Sequence, residues 1–428
     1  AGFWLSFVAV GVLFATDSGA KDDPSTPGWG YFSHKTRQLL REQAVVTLAL
    51  TPLSLLLFGQ VSVVGLVANL VAIPWVTLVV TPLALAGVVL APLWDVAAWT
   101  LRPLAAVLGG LASLPFATVS LAAAPIWAGA LGVAGGGLLV ARLPWGVRGL
   151  GLPLLLPVLL WPAPRPAPGE FQLLAADIGQ GNAVIVRTAG HALVYDAGPR
   201  FSAESDAGHR VLVPLLRALD ERVDTLVLSH RDTDHTGGAR AVLAMQPGAA
   251  LLSSIEDEHE LQALRPVARC VAGQRWQWDG VAFEVLHPQP GDYDGSARAN
   301  ALSCVLRITN GRRTALLRGD IEAAQEARLV AAGVALKADV LLMPHHGSKT
   351  SSSPAFLDAV QPRLALAQAG YRNRFGHPAP PVLARYRERG IEVIESARCG
   401  AAGWSSDRPQ VVGCQREAAR RYWHHRVP

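Results

Sequence analysis

Four side chains of the kinds that bind metal ions fall within six residues of one another, in the segment Ser229–Gly238 (SHRDTDHTGG). The segment follows an apolar run, 224–229, that is typical of a buried strand, and a loop after a strand can turn several side chains inward. Imidazole nitrogens and carboxylate oxygens together suit zinc or manganese. A solvated polar loop is the alternative, but this spacing rarely arises by chance. We therefore predict a metal centre formed by His230, Asp232, Asp234 and His235.

Charged residues are distributed very unevenly along the chain. Residues 1–168 carry eight Lys or Arg and five Asp or Glu, whereas the rest of the chain carries 30 and 28. No charged side chain occurs in 43–94 or in 103–141. Because a membrane-spanning helix needs about 20 apolar residues, the first run can contain two spans and the second one or two. The sequence predicts a polytopic α-helical membrane domain followed by a soluble α/β domain.

Prolines interrupt the apolar runs, and a few uncharged polar residues occur among them. Such breaks are tolerated where a span lines a water-filled path. Ordinary packing of helices through small residues explains the same pattern. The sequence leaves both interpretations open for Pro52, Pro74, Pro82, Pro92, Pro115, Gln60, Asn69 and Thr81.

The distribution of Lys and Arg predicts how the spans are oriented. A loop after the first span is expected to contain Lys21, Lys35, Arg37 and Arg41, and a later loop contains Arg142 and Arg148. Positively charged loops stay in the cytoplasm, so a last span that ends near residue 161 would place the soluble domain on the extracytoplasmic side. The chain starts at Ala1 inside an apolar stretch, and we expect it to be the C-terminal part of a longer protein.

These patterns predict four regions: a transmembrane domain, 1–161; a proline-rich linker, 162–170; a hydrolase domain, 171–400; and a basic C-terminal tail, 401–428. The net charge of +5 permits a polyanionic partner without arguing for one. The four cysteines lack CxxC spacing, so they predict neither a zinc ribbon nor a clear disulfide framework. Pairing of Cys399 with Cys414 stays open and depends on an oxidising compartment.

The metal-binding segment resembles the HxHxDH signature of the metallo-β-lactamase superfamily, with Asp232 in the position of the second His. Three more motifs match that superfamily in order: YDAG at 195–198, LRGD at 317–320 and LLMPHHGS at 341–348. The resemblance implies an αββα sandwich that holds two divalent metal ions, manganese or zinc. It implies that Asp320 bridges the ions and that His346 binds one of them. A bridging carboxylate offsets the repulsion between two cations.

A finer resemblance is to the ComEC-type competence proteins, which are inner-membrane DNA-uptake channels of naturally transformable bacteria. It rests on GFWLSF at 2–7, FGQVS at 58–62, ANLVAIP at 68–74, DIGQGNA at 177–183, Asn300 with Ser303, and GHP at 376–378. The family resemblance implies a multi-pass protein of the bacterial inner membrane. It implies DNA and other competence-machinery proteins as partners, with an oligomer as an option.

Two departures from the family pattern bear on the metal centre. Asn182 stands where the family often has Asp, and no His precedes the bridging Asp320 in the expected place. Asn300 or Ser303 lies near that place, and both are poor metal ligands. We expect that one ion is held by fewer protein ligands or is completed by water.

Further roles follow from the resemblance and from residue type. Asp234, His345 and His377 are candidate catalytic residues. Two adjacent histidines rarely face one ion, so one of His345 and His346 is expected outside the ligand set. Three of these residues have an alternative role. Asp320 could simply form a Gly-Asp turn after a strand, His377 could be a structural histidine, and Ser348 could cap a helix. Contacts to substrate phosphate are predicted for Asn300, Ser303, Ser348 and Lys349.

Three hypotheses of function remain at this stage. The first is a nuclease that degrades the non-imported DNA strand and is coupled to translocation of the other strand. The second is a membrane-anchored phosphodiesterase for a small molecule or a cell-envelope substituent. The third is a channel whose metallo-domain is a non-catalytic scaffold. A groove of Arg and Lys near the metals would favour the first, a closed pocket the second, and absent metal binding the third.

Overall fold

A computed structural model describes residues 2–16, 29–114, 116–295, 297–420 and 427 of the chain. They form two compact units: Ala1–Ala163 with the short segment Arg217–Asp220, and Pro164–Leu216 with Glu221–Pro428. The boundary after Ala163 falls within the proline-rich segment.

The first unit is built from apolar helices, and two of its described stretches are long and apolar enough to cross a membrane, Leu40–Phe58 and Gly65–Ala86. The second stretch stays helical past Pro74 through a π-helical turn, Val76–Val80. A short antiparallel pair joins Gln60–Ser62 to Thr118–Ser120. The helices are Gly2–Thr16, Trp29–Phe58, Gly65–Trp75, Thr81–Ala86, Pro92–Ala112, Ile126–Val140, Trp145–Gly149 and Gly151–Leu159.

Small residues explain how helix Ile126–Val140 packs in this unit. A Cβ atom at Gly132 would meet Val158 at 2.7 Å, and one at Gly135 would meet the carbonyl oxygen of Gly151 at 2.6 Å. Helix axes can approach this closely only where side chains are absent. The structure thus supports the packing interpretation for this helix.

The predicted basic loop after the first span is wrong in part. Lys35, Arg37 and Arg41 lie within helix Trp29–Phe58, which begins before the uncharged run. The basic residues and the apolar run that follows them belong to the same helix, so the positive charges lie in its N-terminal part. Lys21 and Pro115 lie outside the described residues.

Two large β-sheets and one small antiparallel pair, Arg200–Ser202 with Ser205–Asp206, belong to the second unit. In the first sheet the order is Val267–Arg269, Ala250–Ser253, Thr225–Leu228, Ala192–Tyr195, Val184–Arg187, Gln172–Ala175, Ala402–Ser405 and Val412–Cys414. In the second the order is Arg275–Trp278, Val281–His287, Val305–Thr309, Thr314–Leu317, Val340–Leu342, Leu364–Ala367 and Glu392–Glu395. Three inner strands, Ala192–Tyr195, Val340–Leu342 and Leu364–Ala367, are continuously apolar, as is typical of strands covered on both faces.

Two clusters of buried apolar side chains lie against the second sheet in the described part of this unit. One cluster of buried side chains lies between the sheets and includes Val186, Tyr195, Phe283 and Leu306. A second cluster covers the other face of the second sheet and includes Leu341 and Phe356. It is closed by the helices Ala323–Ala331, Pro354–Val360 and Pro380–Glu388. The further helices are Val213–Ala218, Thr233–Thr236, Ala239–Met245, Ser396–Cys399 and Gln415–Ala418.

The segment predicted as a basic tail belongs partly to the fold. Strand Ala402–Ser405 pairs with Gln172–Ala175 and with Val412–Cys414, so the first sheet is completed by residues beyond 400. The buried ring of Trp404 packs against Phe171 at a ring-centroid distance of 5.5 Å. Residues 421–426 of the predicted tail lie outside the described residues.

All four cysteines are paired in the structure. Cys399 pairs with Cys414, the option that the sequence left open, and Cys270 pairs with Cys304. Cys270 follows the edge strand Val267–Arg269 of the first sheet, and Cys304 precedes Val305–Thr309 of the second. The second pairing was not predicted because it depends on how the two sheets face each other.

Candidate metal centre

The candidate ligands lie where strands end, at one edge of each sheet. Strand Thr225–Leu228 runs directly into Ser229 and His230. In the second sheet, Thr314–Leu317 leads to Asp320, and its parallel neighbour Val340–Leu342 leads to His345 and His346. Because parallel neighbours end at the same edge, residues far apart in sequence meet there.

Four of the predicted residues form one tight cluster: Asp234, His235, Asp320 and His346 each offer a ligand atom, and these atoms lie within 4.8 Å of one another. His235 Nε2 is 3.2 Å from Asp320 Oδ1, and His346 Nε2 is 3.3 Å from Asp234 Oδ2. Asp320 also approaches His346 Nε2 at 3.6 Å through its other oxygen. Asp320 therefore presents both of its oxygens to the cluster.

His230 and Asp232 extend the cluster on one side. The ring of His230 lies 4.1 Å from that of His235, and its Nε2 is 3.5 Å from Asp232 Oδ2. His230 is buried, whereas the Asp232 side chain keeps 46% of its exposure. This second group has fewer protein donors than the first, in line with the expectation from the absent His.

Ser303 occupies the place where that His was expected. Its hydroxyl lies 3.3 Å from His230 Nδ1 and accepts a hydrogen bond from the Asp320 backbone N–H at 3.0 Å. It orients neighbours of the metal cluster, which differs from the predicted contact with a substrate phosphate.

Buried polar atoms without a partner test whether a metal fits this cluster. The Nε2 atoms of His230, His235 and His346 and the Oδ1 atom of Asp320 are buried and have no hydrogen-bond partner within the described residues. Leaving such an atom unsatisfied costs about 1–3 kcal/mol. A divalent cation would satisfy all four, and this nitrogen and oxygen donor set suits zinc or manganese.

Partners behind two histidines turn their Nε2 atoms toward the cluster. Asp196 Oδ2 lies 2.8 Å from His235 Nδ1, and the carbonyl oxygen of Gln368 lies 2.9 Å from His346 Nδ1. Asp196 also accepts from the Ser229 backbone N–H at 2.6 Å. Such outer contacts fix the tautomer and the ring orientation of a metal ligand. The sequence marked Asp196 as a turn residue but not as the partner of His235.

The charges within the cluster stabilise one another. Burial alone would lower the pKa of His235, but the carboxylates of Asp320 and Asp196 outweigh it and raise that pKa well above its usual value. Burial opposes ionisation of Asp320, yet His235 and His346 hold its pKa well below the usual range. Asp234 is likewise held at a pKa of about 2, against burial, by His346 and His235. The carboxylates are therefore ionised, and a cation that binds here would replace the proton on His235, because a histidine ligand must be neutral.

The adjacent histidines reach the same carboxylate, which the sequence did not predict. His345 Nε2 and His346 Nε2 each lie 3.6 Å from Asp320 Oδ2. The backbone explains this, because His345, His346 and Gly347 have φ values of 47°, 51° and 86°. Successive left-handed residues reverse the chain and let neighbouring side chains converge. His345 is the more exposed of the two, at the margin of the cluster.

The remaining predicted residues lie at different distances from the cluster. The ring of His377 is 6.0 Å from that of His345. Burial has the largest effect on the pKa of His377 and lowers it, and the nearby His346 and His345 lower it further. Ser348 Oγ contacts Thr350 Oγ1 at 3.1 Å, and the next helix, Pro354–Val360, is preceded by Ser353 and not by Ser348. Lys349 is exposed, and Asn300 lies in the turn Ala299–Leu302.

Asn182 lies beside the cluster through its backbone. Its N–H donates to the Asp234 carbonyl oxygen at 3.2 Å, and its own carbonyl oxygen accepts from Gly198 at 2.9 Å. Its buried amide atoms have no hydrogen-bond partner among the described residues. Asn182 thus positions the backbone of Asp234.

Comparison with known families accounts for both parts of the chain. Residues 1–146 match the model of the competence protein family, and residues 176–370 match that of the metallo-β-lactamase superfamily. The chain combines a competence protein domain with a metallo-β-lactamase domain. The resemblance stated from the motifs is thereby confirmed, and so is the metallo-β-lactamase fold of the second unit.

Individual relatives agree with this assignment. The chain is 35% identical over 431 residues to "Competence protein ComA" of Neisseria gonorrhoeae, covering 99% of this chain and 58% of that protein. It is 34% identical over 397 residues to "Uncharacterized protein YcaI" of Escherichia coli, covering 87% and 50%. It is 32% identical over 256 residues to "ComE operon protein 3" of Bacillus subtilis, covering 54% and 32%. The chain spans about half the length of the first two relatives.

Replacing Asp196 by Asn should weaken metal binding of this chain without removing a ligand. The variant keeps the shape of the side chain but loses the carboxylate that fixes the His235 ring, and loss of such a partner typically costs 10- to 100-fold in metal affinity. Competition with a chromophoric chelator measures this. Asp279→Asn is a matched control, because Asp279 also accepts from a hydroxyl and a backbone N–H, of Thr188 and Gly190. Equal affinities for Asp196→Asn and the unmodified chain would contradict the assigned role.

Proposed function

We propose that this chain is part of a DNA-uptake channel for natural transformation, in the inner membrane, whose metallo-β-lactamase domain hydrolyses phosphodiester bonds. The strand that is degraded is the one that is not imported. The proposal includes two divalent cations, manganese or zinc, and a membrane domain that passes the single strand. DNA and other competence-machinery proteins are its partners.

The observation that carries the proposal is the set of inward-facing donor atoms at the strand ends. Asp234, His235, Asp320 and His346 would hold one cation, and His230 and Asp232, with Asp320 between, would hold the second. When bound, divalent cations supply Lewis acidity toward a phosphate oxygen and lower the pKa of an attacking water. These buried donors are left unsatisfied unless a cation binds, so they favour the hypotheses that need metal binding over a scaffold that binds none.

The chain's own residues would do the rest of the reaction. His345, at the exposed margin of the cluster, is placed to donate a hydrogen bond to a substrate phosphate oxygen. His377, behind it, would contact a phosphate oxygen, since its lowered pKa leaves it without the proton that a general acid must give. Asp234 and Asp320, held ionised, would orient the water that attacks on the opposite side. General acid and base groups of this kind contribute about 10²- to 10⁴-fold each.

The test is hydrolysis by the purified full chain in detergent, supplied with Mn²⁺ or Zn²⁺. Labelled DNA should be cut, and a chelator should stop the reaction. Cleavage of a small phosphodiester together with failure to cut DNA would instead favour the anchored small-molecule phosphodiesterase. Absence of both activities, with metal bound, would favour the scaffold hypothesis.

We also propose that the C-terminus lies on the extracytoplasmic side. Arg142 and Arg148 lie between the apolar helices Ile126–Val140 and Gly151–Leu159, and Arg37 and Arg41 lie just before and at the start of the candidate span Leu40–Phe58. Both groups lie close enough to span ends to act in the positive-inside rule. Alkaline phosphatase fused after Pro428 should therefore be active in cells, and a cytoplasmic reporter at the same place inactive. The opposite pair of results would reverse the topology.

A further inference from the structure

A loop with two aromatic and two arginine residues leaves the second sheet beside the metal cluster. It is the segment 370–377 (GYRNRFGH), and we call it the Arg-aromatic loop. It follows strand Leu364–Ala367, the parallel neighbour of the strand that leads to His345 and His346. The sheet therefore brings this loop to the edge where the metal-binding residues lie.

A series of rings connects the cluster to the surface of this loop. His345 lies 3.6 Å from Asp320, its ring is 6.0 Å from that of His377, and the His377 ring is 5.7 Å from that of Phe375. The last two rings are nearly parallel, with 13° between their planes. Phe375 is 53% exposed, so the outermost ring in the series is accessible from solvent.

The loop holds its shape through one side chain. Asn373 donates from Nδ2 to the carbonyl oxygens of Gly370 and His377, at 2.9 and 2.5 Å. Its Oδ1 atom accepts from the backbone N–H groups of Phe375 and His377, at 3.2 and 3.0 Å. These four bonds close the loop on itself. The exposed rings are thus presented at fixed positions, which lowers the entropy lost on binding.

The cationic groups of the loop are available to a polyanion. Arg372 and Arg374 are exposed and lie over the rings of Tyr371 and Phe375, at 5.2 and 4.7 Å. In the part of the chain that the structure describes, neither guanidinium forms an ion pair with a carboxylate. Each can therefore leave its ring and contact a phosphate while a base occupies the ring face.

A nearby cavity makes a useful contrast. It has a volume of about 510 Å³ and lies beside the short helix Thr233–Thr236. Its three arginines, Arg200, Arg231 and Arg240, are accompanied by three carboxylates, those of Glu204, Asp206 and Glu260. Arg240 pairs with Glu260. The balanced charges there give no reason to expect a polyanion, whereas those of the Arg-aromatic loop do.

We propose that the Arg-aromatic loop binds single-stranded nucleic acid next to the metal cluster, with an unstacked base on Phe375 and the flanking phosphates on Arg372 and Arg374. Single-strand binders combine aromatic platforms with a cationic path, and the bases must be unstacked to reach the rings. This proposal rests on the proposed function only in that the bound strand would be the substrate that is hydrolysed. Binding itself does not depend on hydrolysis. It gives the site a preference for single strands or frayed ends over intact duplex.

The test is fluorescence anisotropy of labelled oligonucleotides with the purified full chain in detergent and EDTA, where no strand is cut. Phe375→Leu keeps an apolar side chain and removes the π face. It should weaken single-strand binding at least about fivefold, since stacking of one base is worth that or more. Duplex binding should change less than about twofold, because paired bases do not reach the ring. Phe375→Trp, which keeps a π face, should restore single-strand binding.

The arginines are tested by the salt dependence of the same binding. Arg374→Ala should make the slope of log K against log salt shallower by about 0.7, the value for one phosphate contact on a single strand. Arg363→Ala is the matched control, because Arg363 is exposed and precedes the strand whose other end carries the loop. Its slope should equal that of the unmodified chain.

Two outcomes would overturn the proposal. One is single-strand binding by Phe375→Leu at the unmodified affinity. The other is an equal loss on an abasic strand, which has the same backbone charge and no bases to stack. Hydrolysis of a small chromogenic phosphodiester, measured on the same variants, reports the metal centre separately. If the chain cut neither DNA nor the small phosphodiester, but Phe375→Leu still weakened single-strand binding, the proposed hydrolytic function would be wrong. The proposed binding site would still be supported.

Discussion

The Asp320→Ala variant should lose both metal ions, whereas Asp232→Ala should lose one at most. Asp320 presents one oxygen to His235 and the other to His346, and it is the carboxylate placed between the two groups of donors. Asp232 is half exposed and approaches only His230 closely, at 3.5 Å. A bridging carboxylate offsets the repulsion between two cations, so its removal weakens both sites at once. Metal content per chain, by elemental analysis after gel filtration, measures the difference.

Folding must be separated from ligand loss in this comparison. Removing Asp320 leaves the buried His235 without the charge that raises its pKa, and breaking a buried pair commonly costs about 3–5 kcal/mol. Asp320→Asn keeps the volume and a hydrogen-bonding oxygen, and serves as a second variant. Circular dichroism in EDTA shows whether each variant is folded. A folded Asp320 variant that keeps two ions per chain would remove Asp320 from the bridging position.

Much of the second unit could be predicted from the apolar pattern of its strands. The predicted run 224–229 contains the observed strand Thr225–Leu228, and the apolar residues ALVY form the strand Ala192–Tyr195 beside it. Both are central strands that are buried on two faces, and such strands appear in sequence as short continuous apolar runs. The candidate ligands His230, Asp232, Asp234 and His235 were predicted from their types and spacing after one such strand, and Asp320 and His346 from the family resemblance.

The parts that were missed depend on contacts between distant segments. The last two strands, Ala402–Ser405 and Val412–Cys414, carry Gly, Ser and Trp rather than an apolar run. The first of them pairs with Gln172–Ala175, more than 200 residues earlier, and the second pairs with the first. The contact between Asp196 and His235 follows from the order of strands in the first sheet, which no local pattern shows. Convergence of His345 and His346 depends on their left-handed backbone.

Replacing Asp234 and His235 together by Ala should stop hydrolysis of DNA and leave the membrane domain intact. Both side chains belong to the four-residue cluster, and neither lies in an apolar helix. Loss of two adjacent ligands removes the charge stabilisation that the cations supply, and loss of such preorganised electrostatics costs roughly 10³-fold or more in rate. The measurement is the rate at which the full chain, in detergent with Mn²⁺, degrades labelled duplex DNA.

A matched double variant controls for the loss of one histidine and one aspartate. His191 and Asp224 form a pair at 3.3 Å, each about 40% exposed, at the starts of strands Ala192–Tyr195 and Thr225–Leu228. They lie at the opposite ends of these strands from the metal cluster. His191→Ala with Asp224→Ala should therefore cut DNA within a few-fold of the unmodified rate.

Transport should respond differently from hydrolysis when both variants are tested in a transformable host. If entry of one strand requires removal of the other, the Asp234 and His235 variant should take up duplex donor poorly but single-stranded donor at the unmodified rate, because its apolar helices still insert and pack. Loss of both kinds of uptake would show that the metal cluster is needed for assembly of the channel itself. Degradation of duplex DNA at the unmodified rate, in a background free of other nucleases, would mean that this cluster is not the nuclease. The scaffold and small-molecule hypotheses would then be the ones to pursue.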